Sequence, residues 1–81
     1  MSDSSCERRR VAGYNQFLKL VRRGKALRVY LANDADVYFS NRIKSELSNA
    51  ERVELVTRYN SNELASMAGV DVPTAVITET E

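Results

Sequence analysis

The sequence predicts an α/β protein, a three-layer α/β/α sandwich with a small mixed sheet. The chain has 81 residues, which is the size of one domain. Hydrophobic residues make up 43% of it and charged residues 28%, the composition of a folded chain rather than a disordered one. Helical and strand patterns alternate along the sequence, and such alternation packs helices against both faces of a mainly parallel or mixed sheet.

The first helix is predicted over Tyr14–Arg23. At about 100° per residue its apolar side chains fill one arc and its polar side chains the opposite arc. Gly13 interrupts the pattern before the helix, and Gly24 is placed to end it in a left-handed conformation. Asn15 and Lys19 lie one turn apart on the polar arc.

The next two elements are a strand and a helix. Ala26–Ala32 is short and nearly all apolar, which is typical of a strand buried on both faces. A turn of Asn and Asp residues follows it. Phe39, Ile43 and Leu47 then recur at four-residue spacing. That spacing predicts a second helix over residues 36–49.

The last three elements are a strand, a helix and a strand. Val53–Thr57 is predicted as the second strand. Asn60, followed three residues later by Glu63, has the pattern of a capping box and begins a third helix. Gly69 ends this helix and a proline prevents its continuation. Ala75–Thr78 is the predicted last strand.

The residue types exclude several function classes. His and Trp are absent, and Cys6 is the one cysteine. Ser-His-Asp and Cys-His catalysis, His-ligated zinc and Cys-rich metal sites therefore have no ligands here. The three glycines are not at the spacing of a phosphate-binding or dinucleotide-binding loop. The sequence predicts a non-enzymatic protein with no cofactor and no metal.

The chain divides into two parts. Residues 1–10 are predicted to form a flexible basic N-terminal segment, and residues 11–81 a single domain. No apolar run is long enough to span a membrane, and the N-terminus has no apolar secretion core. We therefore expect a cytoplasmic protein, and a monomer is the simplest oligomeric state.

Charge is unevenly placed, although the net charge is only +1. Residues 1–28 contain eight basic and two acidic residues, whereas residues 29–81 contain four basic and nine acidic residues. This asymmetry favours a basic surface that meets a polyanion. A solvated surface with no partner is the commoner cause of such asymmetry, so charge alone leaves both explanations open.

The segment Gly13–Lys19 is the most specific feature. A glycine permits close approach to a helix start, where unpaired backbone N–H groups carry partial positive charge. Asn15 offers a donor and an acceptor, which suits base edges, and Lys19 adds a cation. By itself, however, an exposed Asn–Lys pair is an ordinary surface feature.

Two acidic residues follow the first strand. Asp34 and Asp36 could bind a divalent metal ion. An acidic pair at a strand-to-helix junction is more often a helix cap. We therefore favour the cap.

The segment Gly69–Pro73 is the second candidate site. Val70 and Val72 fall outside the periodicity of the core. They either enter the last strand as buried residues or form an apolar lid over a base extruded from its stack, as sequence-specific RNA recognition favours.

Four blocks of sequence are similar to those of a known family, in the same order and at nearly the same spacing. They are GYNQFLK (13–19) with RRGKA (22–26), YLANDAD (30–36), NELASMAGV (62–70) and DVPTAVI (71–77). Over residues 13–77 the chain resembles the kink-turn-binding ribosomal proteins of the large subunit. One departure is Val37, which stands where the family usually has proline.

The resemblance implies an α/β/α sandwich that binds structured RNA at a kink-turn, a bend built on tandem sheared G·A pairs. Asn15 and Lys19 would contact guanine edges, with Gln16 in the place of the family's Glu. Asp36 would accept a hydrogen bond from the extruded base, and the segment 70–73 would pack against that base. Phosphates would be contacted by Arg22, Arg23 and the arginines of the N-terminal segment. The implied RNA-binding residues are Gly13, Asn15, Gln16, Lys19, Arg22, Arg23, Asp36, Val70, Asp71, Val72 and Pro73.

Two other functions are compatible with this fold. One is a protein–protein interaction module without RNA binding, like the acidic stress-response relatives. The other is an accessory domain beside an RNA methyltransferase. The Gly-x-Asn-x-x-x-Lys pattern and the basic helix face favour RNA binding over the first, and the absence of a catalytic partner in this sequence argues against the second.

Overall fold

Helices and strands alternate through the part of the chain that the structure, a computed structural model, describes, which is residues 9–50 and 52–80. The elements in chain order are β1 (Arg9–Ala12), α1 (Tyr14–Arg22), β2 (Ala26–Leu31), α2 (Val37–Leu47), β3 (Glu54–Val56), α3 (Ser61–Ala68) and β4 (Val76–Thr80).

The strands form one mixed sheet in the order β1-β4-β2-β3. β4 is antiparallel to both of its neighbours, whereas β2 and β3 are parallel. Ile77 of β4 lies opposite Ala12 on one side and Tyr30 on the other. The last strand along the chain therefore lies inside the sheet, where both of its edges are hydrogen-bonded.

Each face of the sheet carries its own apolar core, because neighbouring residues of β2 and β4 point to opposite faces. The core between the sheet and helices α1 and α2 contains Phe17, Val29, Leu31, Ile43 and Val76. The core under α3 contains Tyr30, Ala32, Leu64 and Ile77. Helices cover both faces, so the predicted three-layer α/β/α sandwich with a small mixed sheet is confirmed.

The predicted helix boundaries agree closely with those observed. Asn60 and Glu63 form a complete capping box: the Glu63 amide donates to Asn60 Oδ1 at 2.8 Å, and the Asn60 amide donates to Glu63 Oε1 at 2.9 Å. Gly24 and Gly69 follow the ends of α1 and α3 in the left-handed conformation that the sequence predicts.

Two differences between the predicted and the observed strands exceed one residue. β1 was not predicted, and Arg9 and Arg10, which the prediction assigned to a flexible segment, pair with β4. The remaining residues of that segment, 1–8, lie outside the described residues. β4 also runs two residues beyond its predicted end, to Thr80. Within the described ranges no helix is long and apolar enough to cross a membrane.

All three helices begin at the same edge of the sheet, because β1, β2 and β3 end there and β4 starts there. Backbone hydrogen bonds hold these segments together. The Gly13 amide donates to the Val76 carbonyl at 3.1 Å, and the Ala32 amide donates to the Ala75 carbonyl at 2.8 Å. We call this the helix-start edge; it comprises the starts of α1, α2 and α3 and the segment 69–75 before β4.

Candidate nucleic-acid interface

Gly13 is the residue that turns the chain from β1 into α1. Its φ of +109° and ψ of 151° lie in a region that side chains other than glycine rarely adopt. No side chain caps the helix, so amides of its first turn are left without a capping partner. The hydrogen bond from Gly13 to Val76 fixes this start against β4. An uncapped helix start of this kind attracts anions and acceptor groups.

The predicted RNA-binding residues of α1 and its end, which are Asn15, Gln16, Lys19, Arg22 and Arg23, are all exposed and together line one shallow concavity. Arg22 is engaged, because its Nη2 lies 3.2 Å from Glu46 Oε2 of α2. Lys19 and Arg23 form no ion pair with any described residue. The structure thus brings a polar and basic face together along α1.

The opposite face of α1 explains why this polar face is fixed in orientation. Phe17 is fully buried in the core. The Tyr14 ring stacks on Phe17 at a centroid distance of 5.9 Å and meets Phe39 of α2 at 5.6 Å. Because these aromatic contacts prevent rotation of the helix, Asn15 and Lys19 are held towards solvent.

Asp34 and Asp36 both act on helix starts, which confirms the cap interpretation. Asp36 is the N-cap of α2, and its Oδ2 accepts from the Tyr38 amide at 2.9 Å. Asp34 accepts from the Ser61 amide and hydroxyl, both at 3.1 Å, and so ties the segment after β2 to the start of α3. Asp36 remains exposed at the helix-start edge, where its other oxygen is available to a donor.

The segment 70–73 is a solvent-facing apolar loop. Val70 is 37% exposed and Val72 is 66% exposed. Asp71 and Pro73 are exposed as well. The interpretation of these valines as buried strand-entry residues is therefore wrong, because their side chains are open to solvent.

The predicted site residues come from three separate segments that meet at the helix-start edge. Gly13, Asn15 and Gln16 start α1, Asp36 starts α2, and 70–73 precedes β4. Arg22 and Arg23 are the exception. At 1.5 Å per residue they lie about 10 Å further along α1 than Asn15, towards the opposite edge.

Three residues of this region were not predicted. Val37 and Tyr38, at the start of α2, are 68% and 81% exposed. One turn after Tyr38, the Arg42 guanidinium lies 5.5 Å from the centre of the Tyr14 ring. A sequence signal existed for the first two, since neither fits the four-residue spacing that starts at Phe39. Nothing in the sequence indicated that Arg42 would face α1.

These features define a small α/β/α sandwich that presents a polar, basic helix and an apolar loop at one edge. Residues 3–81 match the model of the ribosomal protein L7Ae/L30e/S12e/Gadd45 family, and the chain belongs to that family. The resemblance found in the sequence is thereby confirmed.

Two relatives carry RNA binding in their names. An RNA-binding protein of Caldanaerobacter subterraneus subsp. tengcongensis is 36% identical over 70 residues, which are 86% of this chain and 84% of that protein. The structure of a 15.5-kD RNA-binding protein of Giardia lamblia has a TM-score of 0.80 and 31% identity. The match covers 90% of this chain but only 61% of that one.

A third similarity concerns the fold alone. A protein of unknown function from Bacillus halodurans superposes with a TM-score of 0.80 at 19% identity, over 90% of this chain and 72% of that one. Together the family and the RNA-binding relatives confirm that the chain is not an enzyme.

Proposed function

We propose that this protein binds structured RNA and that its target is a kink-turn or a similarly bent internal loop. The observation that carries the proposal is the meeting of two unlike surfaces at the helix-start edge. One is the uncapped, polar start of α1, and the other is the exposed valine loop 70–73. The hydrogen bond between Gly13 and Val76 fixes one against the other.

The polar surface is suited to a widened groove. Asn15 and Gln16 carry amide groups that donate and accept, as base edges require. Lys19, one turn along, supplies a cation with no carboxylate partner among the described residues. Arg23 would contact phosphate further along the strand, which positions the protein without selecting a sequence.

The apolar surface is suited to a base that has left its stack. Val72 is 66% exposed and Val70 is 37% exposed, so binding would bury apolar surface that now faces solvent. An unstacked base needs an apolar face to rest on and hydrogen-bond partners at its edge. Asp36, at the same edge, would be such a partner.

Binding of this kind would act on RNA shape. A protein that contacts the kinked form and has fewer contacts with the extended form shifts the population towards the kink. Its action needs no chemical step. We also propose that the protein acts in the cytoplasm as a monomer.

The decisive experiment is a gel shift with a kink-turn RNA and with the same RNA lacking its sheared G·A pairs. We expect a shift of the first at concentrations that leave the second free. Equal shifts would overturn recognition of the bend while keeping RNA binding. No shift of either RNA would favour the protein–protein interaction module.

A further inference from the structure

Tyr38 stands on the first turn of α2 with 81% of its surface exposed. Its backbone is fixed by the cap, because the Tyr38 amide donates to Asp36 Oδ2 at 2.9 Å. The ring forms no aromatic contact within the described part of the chain, whereas Tyr14, Tyr30 and Tyr59 each do. An aromatic side chain with a fixed backbone and an exposed ring contributes little to the core.

Arg42 lies on the same face of α2 as Tyr38, four residues further along. Its guanidinium rests over the Tyr14 ring at 5.5 Å, which directs it to the first turn of α1. No carboxylate of a described residue forms an ion pair with Arg42. The Tyr38–Arg42 pair therefore extends the candidate interface from α1 onto α2.

We propose that Tyr38 stacks on an unpaired nucleobase of the bound RNA and that Arg42 contacts the phosphate beside that base. This inference rests on the proposed function, which it deepens with a second base contact outside α1 and the loop 70–73. Proteins hold single-stranded nucleic acid by combining aromatic rings, on which bases stack, with cations that contact the backbone. Neither α1 nor α2 has an acidic residue in its first turn to repel a phosphate.

The Asp36 carboxylate is the nearest acidic group on α2, and it is consistent with this contact. It is oriented towards the Tyr38 amide, on the backbone side of the helix start. Tyr38, which carries the phenol ring, lies two residues after Asp36 along the chain. The charge of Asp36 is therefore partly offset by a backbone donor at the positive end of the helix.

The test uses the full chain and a kink-turn RNA in which 2-aminopurine replaces each unpaired nucleotide in turn. Stacking quenches this fluorescent base. We expect one position to be quenched in the wild-type complex and to brighten with Tyr38→Ser, with a Kd raised about tenfold. Tyr38→Phe keeps the ring and should keep both the quenching and the affinity. Circular dichroism melts check that the exposed substitutions leave the fold unchanged.

Lys19→Ala in the same series makes the outcomes distinguishable, as does a 2-aminopurine-labelled single-stranded oligonucleotide. If Lys19→Ala weakens binding while Tyr38→Ser changes neither Kd nor fluorescence, this inference fails alone. Loss of affinity without any fluorescence change also overturns it, because Tyr38 would then act without stacking. If only the single-stranded oligonucleotide binds and Tyr38 quenches its fluorescence, the kink-turn is not the target, whereas the stacking of Tyr38 on a base is upheld. Binding to neither RNA overturns both.

Discussion

At the residue scale, Lys19 is the most direct test of the proposed interface. Its ammonium group has no ion-pair partner among the described residues, so its removal leaves no buried charge behind. We expect Lys19→Ala to weaken kink-turn binding by about 1–3 kcal/mol, because one contact to a base edge is lost. Titration of a labelled RNA measures the effect. Lys44→Ala removes the same charge in the last turn of α2, at the opposite edge, and should bind as wild type. Equal effects of the two variants would place the RNA elsewhere.

Val72 tests the apolar side of the same edge. Because its side chain is 66% exposed, Val72→Asp should leave the fold intact and yet lower the affinity for RNA by at least tenfold, as a carboxylate would face the bound base or phosphate. Asn49→Asp, on the turn after α2, is the control that adds the same charge at the far edge. Circular dichroism and the titration are read together. Unfolding of the Val72 variant would contradict the exposed position of this loop.

How far single residues could be predicted depended on how local their signal was. Asn15 and Lys19 were predictable because spacing of four residues on one helix fixes a shared face. Val70 and Val72 left two interpretations open, since burial depends on which segments pack over the loop. Arg42 was not predictable, because its place beside Tyr14 is set by the packing of α2 against α1.

At the scale of elements, β4 is the least expected part of the fold. Its last residues, Thr78, Glu79 and Thr80, are polar, and the predicted strand ended at Thr78, two residues too early. All three are buried because β1 and β2 flank the strand on both sides. Arg10, across on β1, lies 3.4 Å from Glu79 and compensates its charge. Polar residues could be accommodated here only through partners that lie far away in sequence.

Two threonines of β4 give a matched test of this strand. Thr78 is fully buried, and its hydroxyl has no hydrogen-bond partner among the described residues. Thr78→Val should therefore raise the free energy of unfolding by about 1 kcal/mol, which is several degrees in Tm for a chain of this size. Thr80→Val loses the hydrogen bond to the Lys25 carbonyl, 2.8 Å away, and should lower stability by about 1 kcal/mol. Thermal unfolding compares them, and a destabilised Thr78 variant would show that the hydroxyl is satisfied in solution.

At the scale of the whole molecule, the described basic residues of segment 1–28, which are close in sequence, lie on different sides of the folded sheet. Lys19 and Arg23 face solvent on α1. Arg28 lies on the other side of the sheet, 3.0 Å from Glu54 and 3.8 Å from Glu79. The pKa of Arg28 is raised, first by its hydrogen bond to the Tyr30 hydroxyl and then by Glu54. The charge of Arg28 is therefore neutralised by carboxylates of the sheet and is not free for a binding partner.

The layers of the fold could be predicted from the sequence, but the order of the strands in the sheet could not. Alternating patterns indicated helices on both faces of a mixed sheet, because each amphipathic face must be buried. They could not indicate that β4 would lie between β1 and β2, or that this order would bring every helix start to one edge. Long-range strand pairing sets that edge, and with it the candidate site.

The separation of charges leads to a prediction about salt. If phosphates bind along α1, the logarithm of the binding constant should fall linearly with the logarithm of the salt concentration, and each lost contact should reduce the slope by about one. Arg23→Gln should have this effect, because no described carboxylate neutralises Arg23. Arg28→Gln removes an equal charge but should leave the slope unchanged, since that guanidinium is already paired beneath the sheet. Titrations between low and physiological salt decide the matter, and a smaller slope for the Arg28 variant would mean that RNA reaches the opposite face of the sheet.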